Sequence, residues 1–202
     1  SKLIDQALRA GGGWLPGADA FRVLEAYGIR TARAESADGV EAAVATAARL
    51  GGPVALKLDG EAFLHKSDLG GVVLGLEGAA GVREAAERLA EIAGKASPDR
   101  PWRYLVQRMG KPGTELVMGV RTDPVFGPLI LAGLGGIHVE ILKDVRLGLV
   151  PLTPILARRM LERLRAYKLL TGARGAKPVD LDAVVDTLLR LSALVEEHPL
   201  IV

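Results

Sequence analysis

The chain has 202 residues, of which 49% are hydrophobic and 25% are charged, and its formal net charge is +2. This length allows a sizeable core in one or two domains. Because the basic residues are scattered and only 4% of residues are aromatic, the composition argues against a nucleic-acid groove, which needs a basic face with stacking aromatics. The absence of cysteine excludes disulfides, thiolate catalysis and cysteine-ligated zinc.

No segment has the pattern of a signal peptide or a membrane span. The N-terminal stretch SKLIDQALRAGGGWLPG lacks the apolar core of a signal peptide. The longest apolar run, residues 129–137, is interrupted by glycines and is shorter than the about 20 residues that cross a bilayer. We therefore expect a cytoplasmic protein with no membrane partner and no nucleic-acid partner.

In the first half of the chain, helical patterns surround one strand–loop–strand unit. Residues 1–15 are predicted to be an N-terminal linker or extension that ends in a glycine-rich stretch. Apolar spacing predicts three helices, and residues 29–34 suit a short strand. The predicted helices cover residues 16–27, 38–50 and 81–93.

The strand–loop–strand unit, residues 53–76, is the first candidate site. A strand period places Lys57 on one face, and the following loop carries His65 and Lys66 before a Gly70-Gly71 pair. Lysine charge and backbone N–H groups that small residues leave accessible suit a polyphosphate. The same residues also suit a plain hairpin with a solvated loop, and His65 is either solvated, a phosphate ligand or a transient phosphoryl acceptor.

The second half is predicted to hold four strands and two long helices, each bounded by glycine, proline or aspartate. Thr153 with Pro154 and then Asp180 are predicted helix starts. The strands are expected at residues 104–109, 115–121, 128–132 and 137–142. The mixture predicts an α+β fold with a division between residues 100 and 101, so that residues 16–100 and 101–202 form two parts.

Two carboxylates in this half are candidate ligands. Glu115 stands at the head of a strand, and Glu140 lies within an otherwise apolar strand, where an unpaired buried carboxylate is costly. Glu140 therefore either faces solvent or binds Mg²⁺, which prefers carboxylates together with phosphate oxygens. Asp123 is predicted to be a turn residue. Lys143-Asp144 is either a surface pair, which is favoured, or a pair at the edge of a site.

Two common nucleotide motifs do not occur. The chain has no P-loop pattern, and in Gly133-Leu134-Gly135-Gly136 a dinucleotide fingerprint would need a glycine where His138 stands. The three histidines lack zinc-protease spacing, and we interpret His138 and His198 as structural. A Rossmann-type binding protein is therefore disfavoured.

In order along the chain, these signals resemble the ATP-grasp module of NDP-forming acyl-CoA synthetases, which are relatives of succinyl-CoA synthetase β chains. The resemblance covers residues 15–202. It depends on Lys57, His65-Lys66-Ser67-Asp68-x-Gly70-Gly71-Val72, Val106-Gln107-x-Met109, Gly113-x-Glu115, Asp123-Pro124-x-Phe126-Gly127-Pro128, Gly133-x-Gly135-Gly136 with Glu140, Lys143-Asp144 and Leu170-x-Gly172-x-Arg174-Gly175.

The resemblance implies an ATP-grasp fold in which two subdomains grip ATP or ADP with Mg²⁺. It implies the reaction of an acid, CoA and ATP to an acyl-CoA, ADP and phosphate through a phosphohistidine, with a CoA-binding or ligase domain as partner. His65 is the implied catalytic residue and Glu140 the implied metal ligand. Lys57 is the implied ligand of the α- and β-phosphates, and Leu64, His65 and Lys66 are implied to lie over the nucleotide. Gln107 and Met109 are implied to lie at the hinge that binds adenine, Glu115 to face the ribose or phosphate side, and Gly110 to belong to the same nucleotide-binding set.

The family has an acidic–Ile/Leu–Asn–Pro strand after a segment like HPLIV, and this sequence stops at Val202. From the sequence we expect a fragment or subunit that does not turn over alone. The same module also occurs fused to protein acetyltransferases. The alternative is therefore a degenerate or regulatory module that acts as a non-catalytic interaction domain.

Overall fold

A computed structural model describes residues 1–64, 66–136, 144–172 and 177–201. The chain forms two compact units, one of Ser1–Ala26 with Arg30–Lys111 and the other of Tyr27–Ile29 with Pro112–Val202. Each unit combines an antiparallel sheet with packed helices, which confirms the α+β prediction. None of the helices in the described ranges has the length and apolar character needed to cross a membrane.

The first unit contains a four-stranded antiparallel sheet in the order β1-β4-β2-β3. A 3-10 turn at Glu61–Phe63 follows β2. The other elements are α1 (Lys2–Arg9), α2 (Gly17–Ala26), β1 (Ala34–Ala37), α3 (Val40–Leu50), β2 (Val54–Asp59), β3 (Val72–Leu76), α4 (Gly78–Ala96) and β4 (Arg103–Arg108).

Alternation along β2 gives this sheet two different faces. Leu56 and Leu58 are fully buried against α3 and α4, whose small side chains let the helices pack closely. Ala55, Lys57 and Asp59 point to the opposite face. The sheet therefore offers one apolar face to its helices and carries a lysine and an aspartate on the other.

Three features of this unit differ from the sequence prediction. Within residues 1–15, predicted to be a linker or extension, Lys2–Arg9 form helix α1. β1 begins at Ala34 and pairs with β4, whereas the sequence suggested a strand over residues 29–34. The sequence placed the division of the chain between residues 100 and 101, and the structure places it between Lys111 and Pro112. The reason is that β4 lies between β1 and β2 and so completes the first sheet.

The second unit contains a three-stranded antiparallel sheet in the order β5-β6-β7. The sequence did not predict β7 or the short helix α6, and the strand predicted over residues 137–142 lies outside the described residues. The elements are β5 (Leu116–Asp123), β6 (Gly127–Leu134), β7 (Val145–Leu149), α5 (Pro154–Glu162), α6 (Tyr167–Leu170) and α7 (Leu181–Glu197).

Helices α5 and α7 cover one face of this sheet. Ile130 and Ala132 of β6 form its core with Leu161 and Leu188, all at most 1% exposed. Both predicted helix starts are confirmed, because the Thr153 hydroxyl accepts from the backbone N–H of Leu156 and the Asp180 carboxylate accepts from that of Ala183.

Candidate functional site

Lys57 is held by a side chain from the neighbouring strand. The antiparallel register sets Ala55 of β2 opposite Gln107 of β4, so Lys57 and Gln107 project from the same face. The Lys57 Nζ donates a 2.7 Å hydrogen bond to the Gln107 Oε1. The structure therefore brings together two residues that the resemblance assigned separately to phosphate and to adenine.

A second lysine lies close enough to change the electrostatics of the first. Burial lowers the pKa of Lys57, and the charge of Lys66 lowers it further. Both effects disfavour the ammonium form, and an anion bound beside the two amines would offset them. The convergence of two cations in a half-buried position is suited to a phosphate ligand.

The loop that carries Lys66 is closed at its base. The N–H of Gly71 donates a 2.6 Å hydrogen bond to the carbonyl of Lys66, and the N–H of Leu58 donates to the carbonyl of Gly71. A Cβ on Gly60 would stand 2.9 Å from the carbonyl oxygen of Pro101. Leu64 is 51% exposed on this loop, and His65, the predicted catalytic residue, lies outside the described residues.

Met109 and Gly110 follow directly after β4. The N–H of Met109 donates a 2.9 Å hydrogen bond to the carbonyl of Pro53, which joins the end of β4 to the start of β2. Both residues are exposed. The binding of adenine by Met109 stays a prediction, as does the place of Gly110 in the nucleotide site.

Glu115 belongs to the second unit, where it precedes β5. Its carbonyl accepts a 2.7 Å hydrogen bond from the N–H of Gly135. A Cβ on Gly136 would stand 2.7 Å from the Glu115 Oε2, and Gly136 has a φ of +62°. The exposed carboxylate therefore depends on a glycine at position 136.

This geometry also explains the glycine pattern at residues 133–136. Gly133 lies inside β6, where a Cβ would stand 2.6 Å from the carbonyl oxygen of Asp144, and Gly135 packs against the backbone of Glu115. These glycines allow close approach of strands. A dinucleotide fingerprint would also need a third glycine where His138 stands.

The remaining acidic candidates have different positions. Asp123 is a turn residue as predicted, since its Oδ1 accepts from the N–H groups of Val125 and Phe126. The interpretation of Asp144 as part of a surface pair is wrong, because Asp144 is 3% exposed and its Oδ2 accepts from the N–H of Ala166. The predicted metal ligand Glu140 lies outside the described residues, and no metal-binding acidic or histidine cluster occurs within them.

The sequence alone did not indicate the burial of Asp59 or the contact of Gly136 with Glu115. Asp59 is 2% exposed, and its two carboxylate oxygens accept from the N–H of Gly17 at 3.0 and 3.2 Å. The alternation of β2 places Asp59 on the same face as Lys57, and this signal could have identified it. Its tie to α2 fixes the end of the strand that precedes the Lys66 loop.

The whole chain apart from its first five residues matches a known family, since residues 6–202 match the ATP-grasp domain. The chain is 40% identical over 197 residues to the acetate–CoA ligase [ADP-forming] II subunit beta of Pyrococcus furiosus, covering 97% of this chain and 84% of that one. It is 41% identical over 198 residues to the ADP-forming acetate–CoA ligase I of Archaeoglobus fulgidus. That match covers 98% of this chain and 29% of the relative's length.

A solved structure gives the same result for the fold. The "dinucleotide forming Acetyl-coenzyme A synthetase 1" of Ca. Korarchaeum cryptofilum, in complex with coenzyme A, Ca-AMPCP and HgCl+, superposes with a TM-score of 0.90 at 36% identity. The match covers 98% of this chain and 86% of that one. Another complex of the same enzyme holds coenzyme A and Mg-AMPPCP, with its phosphohistidine segment pointing towards the nucleotide-binding site.

These relatives are CoA ligases and synthetases, which favours the ligase hypothesis over the acetyltransferase-associated one. The family match and the Pyrococcus relative cover nearly the whole chain, and the architecture of both units agrees with them. The chain therefore belongs to the ATP-grasp family, as an ATP-grasp module of the ADP-forming acyl-CoA synthetases.

Proposed function

We propose that this chain binds ATP or ADP with Mg²⁺ and supplies the nucleotide half of an ADP-forming acyl-CoA synthetase reaction. One observation carries the proposal: Lys57 is half-buried, tied to Gln107, and has a pKa lowered by burial and by Lys66. Among the described residues, the hydrogen-bond partner of the Lys57 Nζ is an amide oxygen and not a carboxylate. Two neighbouring lysine amines in this setting are suited to the phosphates of a nucleotide.

In this proposal Lys57 binds the α- and β-phosphates, while Leu64 and Lys66 lie over the nucleotide. Gln107 and its neighbours after β4 bind the adenine edge, and Glu115 binds on the ribose or phosphate side. The predictions for His65 as phosphoryl acceptor and Glu140 as Mg²⁺ ligand belong to the same proposal. The remaining adenine-side residues are Met109 and Gly110.

Of these residues, Lys57 and Gln107 belong to the first compact unit and Glu115 to the second. The Korarchaeum neighbour is described with a nucleotide analogue, a divalent cation and a phosphohistidine segment, and these components support the proposal that this chain binds a nucleotide with a divalent cation. A relative of this chain is named a beta subunit, which supports a separate CoA-binding or ligase subunit, or domain, as the partner. The full reaction joins an acid to CoA as ATP becomes ADP and phosphate.

The chemistry asked of these residues is positioning and charge neutralisation. Phosphoryl transfer spreads negative charge over oxygens whose stabilisation depends on fixed cations. Lys57 offers such a cation because its amine is already oriented by Gln107. Bound Mg²⁺ would neutralise further charge on the phosphates.

Nucleotide binding is tested by unfolding the chain with and without ADP or ATP in the presence of Mg²⁺. A ligand at 100 times its Kd stabilises the folded chain by about 2.7 kcal/mol. We expect this gain in the parent and its loss in Lys57→Ala. Lys95→Ala, at an exposed lysine in the last turn of α4, is the matched control and should behave like the parent.

An absent shift in the parent at saturating nucleotide would contradict the proposal, and so would an unchanged shift in Lys57→Ala. For His65, we expect [γ-³²P]ATP to give an acid-labile label on the chain. Equal labelling of His65→Ala would remove the phosphoryl-acceptor role and leave the nucleotide-binding proposal intact.

A further inference from the structure

The residues before and at the start of α2 contact the loop that carries Lys66 and the strand that precedes this loop. At one end, the N–H of Gly17 donates to both carboxylate oxygens of Asp59, the last residue of β2. At the other end, the Nζ of Lys66 lies 5.8 Å from the centroid of the Trp14 ring. Residues 14–17, which we name the N-terminal strap, therefore contact both the start of the loop and Lys66.

Trp14 holds this position without being a core residue. Its side chain is 40% exposed, and it borders a cavity of about 360 Å³ together with Pro16, Glu61 and Trp102. Three glycines with positive φ precede it, at residues 11–13. Trp14 is neither buried nor part of a helix. Its contact with Lys66 therefore suggests a role other than core packing.

Lys66 needs such a contact because other forces oppose its position. The charge of Lys66 lowers the pKa of Lys57, so the two ammonium groups repel each other, and a bound anion would relieve this repulsion. A lysine side chain also has four rotatable methylene bonds and loses rotamer entropy when it is held in one place. The face of an indole attracts an ammonium group and offsets both costs.

We propose that Trp14 is a positioning residue that holds Lys66 beside Lys57, so that both amines are ready for the phosphates of the nucleotide. The inference rests on the proposed function, because it assigns Lys66 to the nucleotide site. Trp14 acts through Lys66 and does not itself contact the nucleotide. An exposed indole in the N-terminal strap thereby fixes the position of one cation of the proposed phosphate site.

Limited digestion with trypsin tests the contact directly, because cleavage after Lys66 requires this side chain to leave Trp14 and enter the protease. We expect Trp14→Ala to speed cleavage after Lys66 by about two- to five-fold, the range that an exposed cation–π contact provides. Cleavage after Lys95 in the same sample is the internal reference. Trp14→Phe should restore most of the protection, since phenylalanine retains an aromatic face.

Leu8→Ala is the matched control for loss of an exposed apolar side chain in the N-terminal region, since Leu8 is 42% exposed. We expect it to leave the rate at Lys66 unchanged. An unchanged rate in Trp14→Ala, or an equal increase in Leu8→Ala, would overturn the proposal.

A double-mutant cycle on ADP affinity tests the link to function. We expect Trp14→Ala to weaken ADP binding by about two- to five-fold in the parent and to have no further effect in Lys66→Ala. Equal losses in both backgrounds would overturn the proposal. If the parent does not bind ADP, the proposed function fails, and the tryptic comparison still decides whether Trp14 restrains Lys66.

Discussion

Gly136→Ala should separate the position of the Glu115 carboxylate from the stability of the fold. The added Cβ would stand 2.7 Å from the Glu115 Oε2, closer than real Cβ atoms approach any heavy atom. The contacted atom is the far end of a flexible side chain. The carboxylate can therefore swing away, and the cost of the clash falls on its position more than on the fold.

The effect on stability comes from the backbone instead. Gly136 has a φ of +62°, and alanine in this left-handed region costs about 1–2 kcal/mol. The effect on binding is separate, because under the proposed function the displaced carboxylate loses a hydrogen bond to the nucleotide. A hydrogen bond to a charged group contributes about 1.5–3 kcal/mol, so we expect ADP affinity to fall about ten- to one-hundred-fold.

Gly127→Ala is a closely matched control for this experiment. Gly127 has a φ of +72°, nothing lies within 4 Å of the position of its Cβ, and it stands at the other end of β6 from Gly135. We expect the two variants to lose similar stability to urea, and only Gly136→Ala to lose ADP affinity by calorimetry. In a Glu115→Ala background, Gly136→Ala should leave the remaining affinity unchanged.

Two results would refute this reasoning. Equal ADP affinity in Gly136→Ala and Gly127→Ala would show that the position of the Glu115 carboxylate does not matter for binding. An affinity loss of the same size in the Glu115→Ala background would show that Gly136 acts on the ligand by another route.

Lys57 should make the stability of the fold depend on pH, because its pKa is lowered in the folded chain. Between that pKa and the ordinary value of about 10.4, the unfolded chain binds more protons than the folded chain. The parent therefore gains stability as the pH rises through this window. Lys57→Met lacks this gain, so urea unfolding at pH 7.5 and pH 10 should show the parent improving relative to the variant; parallel curves would contradict the pKa assignment. Asp59→Ala leaves the N–H of Gly17 without its acceptor and should cost about 1–3 kcal/mol, while Asp59→Asn, which keeps an oxygen, should cost less in the same urea titration. Leu188→Ala, at a fully buried side chain, should cost about 2–5 kcal/mol, whereas Leu149→Ala, at a side chain 53% exposed, should stay within about 0.5 kcal/mol; similar losses in thermal unfolding would contradict the core assignment.

Features with local causes were predictable from the sequence. Thr153 and Asp180 start their helices as expected, because a helix cap depends on residues only three positions away. The β2–β3 pair was likewise predictable, from alternation in β2 and from an apolar, β-branched run in β3, on the two sides of a polar loop. The site residues in this stretch could be proposed from residue type and spacing for the same reason.

Features that depend on partners far along the chain were predicted less well. β1 and β7 are short, and each depends on pairing with another strand, β4 and β6 respectively, a pairing that the local sequence pattern does not specify. The burial of Asp144 depends on the N–H of Ala166 at the turn between α5 and α6. A buried carboxylate and an exposed one look identical in sequence when the acceptor's partner is a backbone group elsewhere.

The sequence by itself indicated the α+β class and the residues of the proposed phosphate site, because strand and helix periods and glycine positions are local properties. Only the tertiary structure decided which of these residues meet. Lys57 and Gln107 are 50 positions apart. Trp14 precedes β2 in the chain, and it contacts Lys66, which follows β2. Such pairs follow from sheet register and loop closure, and these depend on the packing of the whole unit.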